Sequence, residues 1–359
     1  MPGRQRQVAE VDDRPRFRLG LVVGKFSPLH HGHEYLIEHA RQQCRQVLLL
    51  SWSVPELAGC YARRRQRWLR QRFPGLLCVV LDERRLERLC RQRGQAPRRL
   101  PANTASDQEQ QAFTAWLCAD LLGLALDAVF SSEAYGAPLA ARLAAHTGKA
   151  VTAVEVDRQR RRYPISASAI RADPTLAPHW LAPEVRADLV CRVAVLGGES
   201  SGKTTLAAAL AQRLGCSWVP EYGRELWEQR GGRLGMADLQ QIARVQQQRE
   251  DTLAADGGRW LVCDTTALTT LGYAGWLFAA STPGLRRRAA QRRYAHLLLC
   301  APDFVFVQDG TRQDAGFRAR QHAWYVQELT RRRLPWTLLE GPLAQRLARA
   351  CSVLAAEGQ

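Results

Sequence analysis

Short apolar runs alternate along this chain with segments of helical periodicity. In the first half the runs are Leu19–Val23, Val47–Ser51, Leu76–Leu81, Ala128–Ser131 and Ala150–Val156. Their length and near-continuous apolar character suit strands buried on both faces. Helical patterns fit between them, notably His33–Cys44 and Asp107–Leu122. The pattern breaks at Asp173–Pro183, where prolines at 174, 178 and 183 mark a linker or irregular crossing. It then restarts, with strands expected at Arg192–Leu196, Trp260–Asp264, Phe304–Val307 and Trp336–Leu339. Helices are expected at Lys203–Leu214, Asp238–Ala254 and Arg318–Arg333. Repeated strand–helix alternation predicts an α/β protein with two doubly wound parallel-sheet domains. They are expected over residues 19–172 and 191–359, with a linker over 173–190 and a flexible polar tail over 1–18.

Length and composition fit this division. A chain of 359 residues is long for one domain, and its 46% apolar content is ample for two cores. No apolar run approaches the ~20 residues of a membrane span, and the polar N-terminus has no secretory h-region. A cytoplasmic enzyme without a membrane partner is therefore expected. The ten cysteines are scattered with no C-x-x-C pair, so reduced core thiols are expected rather than a zinc site or a disulfide framework.

The formal charge of +17 invites a nucleic-acid reading. Yet only Lys25, Lys149 and Lys203 are lysines, and every other basic side chain is arginine. This pattern reads as a general substitution of arginine for lysine rather than a nucleic-acid surface. The excess positive charge is read as attraction for polyphosphate substrates, and no DNA partner is expected. Runs such as Arg63–Arg65 and Arg286–Arg288 read as solvated helix faces. Two of the three lysines fall inside candidate phosphate-binding motifs.

The first motif is Gly197-x-x-x-x-Gly202-Lys203-Thr204, between an apolar strand and a helix-forming run. Glycines let backbone amides wrap a phosphate, and the following helix turns its positive end toward the anion. Lys203 is expected to reach the β- and γ-phosphates of ATP, and Thr204 to hold Mg²⁺. Trp260–Asp264 is an apolar strand ending in a carboxylate, so Asp264 is placed to bind Mg²⁺ or to accept a proton from an attacking hydroxyl. Further on, Gln308–Arg312 could bring Arg312 over the triphosphate. Tyr273 and Trp276 are candidates for stacking on a substrate ring, set against ordinary core packing.

The second motif is Gly24-Lys25-Phe26-Ser27-Pro28-Leu29-His30-His31-Gly32-His33, at a strand-to-helix turn. Imidazoles at His30 and His33, beside Lys25, can donate hydrogen bonds to phosphate oxygens there. Downstream, Ile165-Ser166-Ala167-Ser168-Ala169-Ile170-Arg171 puts two hydroxyls and a guanidinium on one helical turn, a suitable phosphate clamp.

Together these elements resemble the HxGH nucleotidyltransferase superfamily. Joined to a downstream phosphate loop, they are similar to the NadR family of nicotinamide mononucleotide adenylyltransferases and ribosylnicotinamide kinases. The resemblance extends from residue 19 over nearly the whole chain. It takes in the segments 129–136, with Ser132, Glu133 and Tyr135, and Val156-Asp157-Arg158. In the second half it takes in Leu196–Thr204, Glu221–Glu225 and Asp264-Thr265. The resemblance implies that Gly24, Lys25, Phe26, His30, His33, Ser166, Ser168 and Arg171 bind ATP in the first domain. In the second, ATP falls to Gly197, Glu199, Ser200, Ser201, Gly202, Lys203, Thr204, Thr205 and Arg312. Ser132, Glu133 and Tyr135 would line one acceptor site; Glu221, Tyr222, Arg224, Asp264 and Trp276 would line the other. The implied ligands are ATP with Mg²⁺, ribosylnicotinamide, nicotinamide mononucleotide and the product NAD.

Two departures stand out. The family often has Asp-Thr-Asp where this chain has Asp264-Thr265-Thr266, and Ser51–Pro55 lacks an expected acidic residue. Alternatives are another nucleoside or phosphorylated cofactor precursor as acceptor, or an NAD-sensing regulator with one decayed site. Some family members carry an N-terminal helix-turn-helix domain, for which residues 1–18 are too short. Oligomeric state, homo-oligomers included, is left open.

Overall fold

The computed structural model describes residues 15–256, 258–306 and 314–356. The chain forms two compact units. One reaches Asp173 and takes in Trp180–Ala182; the other holds Pro174–His179 and continues from Pro183.

The first unit is built on five parallel strands: β1 (Phe17–Val23), β2 (Cys44–Ser51), β3 (Leu77–Val80), β4 (Ala128–Ser131) and β5 (Thr152–Glu155). Their order is β3-β2-β1-β4-β5. Chain order reverses between β1 and β4, and ligands of open α/β sheets sit at the carboxyl ends of strands flanking such a switch. The most apolar strands, β1 and β2, lie centrally with Leu21, Val22 and Leu48–Leu50 buried, whereas the polar β5 forms an edge. Phe113, Trp116 and Leu117 close one face of the sheet core.

The second unit also has five parallel strands: β6 (Cys191–Gly197), β7 (Trp218–Val219), β8 (Trp260–Asp264), β9 (His296–Cys300) and β10 (Trp336–Leu339). Their order is β10-β9-β6-β8-β7, again with the first strand of the unit at the centre and at the switch. Val193–Leu196 of β6 and Leu261–Asp264 of β8 are fully or almost fully buried.

Several expectations are corrected. The strand expected at Phe304–Val307 is instead β9, His296–Cys300. Val305 is 83% exposed, so its β-branched character is not used in a sheet. The tail expected over residues 1–18 is shorter, because Phe17 and Arg18 belong to β1; residues 1–14 lie outside the described part. Asp127 holds this entry into the sheet, its carboxylate accepting from the amides of Arg18 and Leu19. The crossing over 173–190 is helical rather than irregular. It contains a 3₁₀ turn at Pro174–Leu176 and helices Ala177–Trp180 and Pro183–Leu189. Proline is tolerated in a first helical turn, where its missing N–H would have no partner. The helix expected over Asp107–Leu122 changes to π geometry at Leu117–Leu121. None of the ten cysteines forms a disulfide. Among the described residues no helix is long and apolar enough to cross a membrane.

Two candidate nucleotide sites

The first site is a cleft of about 710 Å³ at the carboxyl ends of β1 and β4. Gly24, Lys25, Phe26, His30, His33, Ser132, Glu133, Tyr135, Ser166, Ser168 and Arg171 all line it. Residues separated by more than a hundred positions thus share one wall. The helix His31–Gln43 points its N-terminus into this region, which favours negative charge there.

That helix starts with an unusual capping box. His30 is the N-cap, and its Nδ1 accepts from the His33 amide at 3.3 Å. His33 Nδ1 in turn accepts from the His30 amide at 3.4 Å. The rings stack at 3.7 Å with 22° between planes. Because both Nδ1 atoms accept, the proton of each neutral ring sits on Nε2. Burial first, then the nearby charges of Arg160 and His31, lower His30 from 6.5 to about 4. Burial, then His30 and Arg160, hold His33 well below its ordinary value. Both rings are therefore neutral Nε2–H donors at physiological pH.

Ser166 caps the helix Ala167–Ala172, its Oγ accepting from the Ala169 amide at 3.1 Å. One turn on, the Arg171 guanidinium donates to Ser168 Oγ at 3.0 Å and to the Ser27 carbonyl. Arg171 thereby ties the serine helix to the Gly24–His33 turn. In the same cleft Glu133 pairs with Arg160 at 3.1 Å. Within the 156–158 segment, Asp157 accepts from the amides of Arg161 and Arg162, while Arg158 pairs with Glu155 outside the cleft. Trp52, Asn103, Arg160 and Tyr163 also line the cleft and escaped the sequence reading. None belongs to a motif, and only the tertiary fold brings them in.

The second site is a cleft of about 630 Å³ where β6 ends. Gly197, Glu199, Ser200, Lys203, Glu221 and Arg224 line it. The helix Lys203–Leu214 follows Gly202, whose φ of +78° favours glycine. A Cβ there would stand 3.1 Å from the Phe304 ring. Lys203 Nζ donates to the Gly198 carbonyl at 2.9 Å, and Ser201 Oγ donates to the same carbonyl at 2.7 Å. The loop is also held from behind. Gln321 Oε1 accepts from the Glu199 amide at 2.7 Å, and Arg346 donates to the Ser201 carbonyl at 2.8 Å. Thr205 lies exposed in the first helical turn, outside the cleft lining.

Asp264 ends β8 fully buried, and its Oδ2 accepts from Thr204 Oγ1 at 2.6 Å. Its Oδ1 has no hydrogen-bond partner among the described residues. Burial raises its pKa above the ordinary carboxylate range, opposed by the Lys203 charge. The Thr204 hydroxyl and the Asp264 carboxylate, whose Oδ1 is unengaged, form an oxygen donor pair beside the phosphate loop that fits Mg²⁺. Among the described residues no group of three or more His, Cys, Asp or Glu could hold a metal by itself.

Two expected substrate contacts are corrected. Trp276 does not line the cleft; it packs edge-on against Tyr273, Phe317 and Trp324 at 5.2–5.6 Å. Tyr222 is buried in the core, its ring under the Arg249 guanidinium and its hydroxyl accepting from Gln241. Trp276 is partly buried against the core, and for both residues packing of the ring outweighs its nearness to a motif. The cleft instead presents Tyr273 and Trp227. Tyr273 donates from its hydroxyl to Glu199 Oε1 at 3.1 Å. Arg312 lies outside the described residues. The Arg63–Arg65 run is only partly a solvated face, because Arg65 is completely buried.

Residues 192–346 match the family described as AAA domain. The chain is 26% identical to the trifunctional NAD biosynthesis/regulator protein NadR of Salmonella typhimurium over 317 residues. That match covers 83% of this chain and 72% of the relative. The Escherichia coli protein of the same name matches with the same identity and coverage. Among solved structures, NadR in complex with NR superposes with a TM-score of 0.67 at 20% identity. NadR with NAD and AMP-PNP gives 0.65 at 19%. Each covers 95% of this chain and 96% of the other. In sequence, and in the order and topology of its two parallel-sheet units, the chain is a NadR-like protein.

Proposed function

We propose that this chain performs two consecutive ATP-dependent steps of NAD salvage, phosphorylating ribosylnicotinamide in the second unit and adenylylating nicotinamide mononucleotide in the first. The observation that carries the reading is the presence of two clefts, each at a sheet's switch point and each lined by phosphate-binding groups of a different kind.

In the second unit the 5′-hydroxyl of the nucleoside attacks the γ-phosphorus of ATP, and ADP leaves. Lys203 would exchange the Gly198 carbonyl for phosphate oxygens and follow the charge that develops there. Glu221 and Arg224 would orient the ribose. Asp264 would take the hydroxyl proton or, with Thr204, hold Mg²⁺. When bound, Mg²⁺ supplies charge neutralisation and alignment of the phosphates.

In the first unit a phosphate oxygen of the mononucleotide attacks the α-phosphorus of a second ATP. The bond to the bridging oxygen breaks and pyrophosphate departs. The Nε2–H groups of His30 and His33, with Lys25 and Arg171, would stabilise the crowded negative charge, while Ser166 and Ser168 fix the leaving oxygens. Positioning and electrostatics suffice, with no covalent intermediate. Ten cysteines held as thiols suit a reducing compartment, and the cytoplasm is the proposed location.

The test follows ribosylnicotinamide and Mg-ATP to products. Lys203→Ala should lower mononucleotide formation by about 100-fold or more. His33→Ala should let the mononucleotide accumulate without NAD. NAD formation that survives His33→Ala unchanged would refute the transferase assignment.

A further inference from the structure

Beneath the first cleft lies a side chain outside both the motifs and the cleft lining. Arg65, in the helix Ala62–Arg72, has no exposed surface. Its Nη1 donates to Ser51 Oγ at 2.6 Å and to the Lys25 carbonyl at 3.2 Å. Its Nη2 donates to Glu56 Oε1 at 3.2 Å, which compensates the buried charge. Glu56 Oε1 also accepts from the Ala62 amide, at the start of the helix that carries Arg65.

The Lys25 carbonyl receives two further donors, Ser27 Oγ at 3.0 Å and Ser51 Oγ at 3.1 Å. Three side chains thus converge on one peptide oxygen. That peptide joins Lys25 to Phe26, and Phe26 has a φ of +47°, left-handed backbone that a bulky non-glycine residue rarely adopts. Strained backbone persists only where its surroundings over-determine it, and such strain clusters at functional sites. Turning the peptide toward ordinary geometry would move the carbonyl away from all three donors.

The consequence reaches the cleft through the Phe26 ring. It lies 5.1 Å from the His33 ring, edge to face. It also stands so close over Gly24 that a Cβ there would be 3.2 Å from it. The ring wedges between the phosphate-binding turn and the histidine pair.

We infer that Arg65 is a positioning residue for adenylyl transfer: it locks the Lys25–Phe26 peptide, and through the Phe26 ring it sets His33 against the phosphates. The site has this support from the side on which an acidic residue was expected near Ser51. Arg65 touches no reacting atom. It acts through the backbone of Lys25 and the ring of Phe26.

The inference rests on the transferase reading above, and the two can be tested apart. Arg65→Met and Arg65→Lys in the full chain are assayed separately for adenylyl transfer and for ribosylnicotinamide phosphorylation. Arg65→Met should lower kcat for adenylyl transfer by about tenfold to 100-fold, the cost of a small misplacement of reacting groups. KM for ATP should change far less, and phosphorylation in the second unit should be unchanged. Arg65→Lys, which retains a cationic donor, should recover part of the rate, as should guanidinium added to Arg65→Met. Hydrogen–deuterium exchange of wild type and Arg65→Met supplies a readout independent of the reaction, with faster exchange expected over residues 24–33. A wild-type chain that makes no NAD would sink the transferase reading while exchange still decides the role of Arg65. Unchanged kcat together with unchanged exchange would overturn the inference. So would a loss matched by equal loss of folded protein without rescue by Arg65→Lys.

Discussion

Replacing His30 by asparagine should remove an acid sensitivity that the histidine builds into the first unit. His30 is only 5% exposed, and burial followed by the charges of Arg160 and His31 lowers it from 6.5 to about 4. Between these values the unfolded chain takes up a proton that the folded chain refuses. The neutral ring therefore contributes stability that is present above pH 6.5 and is lost as pH falls toward 4. At pH 5.5, compared with pH 8, the loss from this ring is about 1.4 kcal/mol. For a domain of this size that corresponds to about 3–6 °C in midpoint. Asparagine is itself a good N-cap, so His30→Asn keeps the helix start while removing the titrating group. The assay is calorimetric unfolding of both full-length proteins at pH 8 and pH 5.5. The second unit is common to both and cancels in the comparison. Wild type should lose several degrees more than His30→Asn over this interval. Equal losses would show that His30 is protonated in the folded chain, and the tautomer argument for its Nε2–H donor would fall with it.

Other outcomes follow from the second cleft. Asp264→Asn should keep the fold and cut phosphorylation by about 100-fold or more, measured with ribosylnicotinamide at saturating Mg-ATP. Preserved turnover would remove Asp264 from both of its suggested roles. Gly202→Ala should impair phosphorylation while NAD formation from supplied mononucleotide continues, because both the φ of +78° and the Phe304 ring oppose a Cβ. Trp276→Ala should destabilise the second unit by about 3 kcal/mol by unpacking its aromatic neighbours, with little change in nucleoside KM at a temperature where the variant is folded. Trp227→Ala should show the reverse, raising nucleoside KM with a smaller change in midpoint. Exchange of these two phenotypes would return Trp276 to the substrate.

Both candidate phosphate-binding turns were legible because their pattern is local. A glycine-rich loop with its lysine and a histidine turn with its lysine each occupy ten or fewer residues, and strand and helix flank them as apolar pattern predicts. Ala128–Ser131, Trp260–Asp264 and Trp336–Leu339 stand where the pattern puts them. The strand at His296–Cys300 was not legible, since its run of leucines suits a buried helix as well as a strand and the nearby Val305 and Phe306 offer a stronger β signal. Trp276 follows the Asp264 strand and so drew attention as a ring for the substrate, but its packing against Phe317 and Trp324 occupies it elsewhere, while Trp227, in no motif, lines the cleft. Arg65 was hidden by its neighbours, one arginine among many, distinguished only by the direction in which its helix turns it.

The stacked histidines at the head of the helix His31–Gln43 leave their site little room for compromise. Serine and glutamate make a conventional reciprocal cap, and installing them would give the helix a sound start. The same exchange would strip the proposed phosphate pocket of both imidazole hydrogens. Selection for a sturdier fold and selection for faster chemistry therefore pull on the same four ring nitrogens, and histidine at both positions answers each demand.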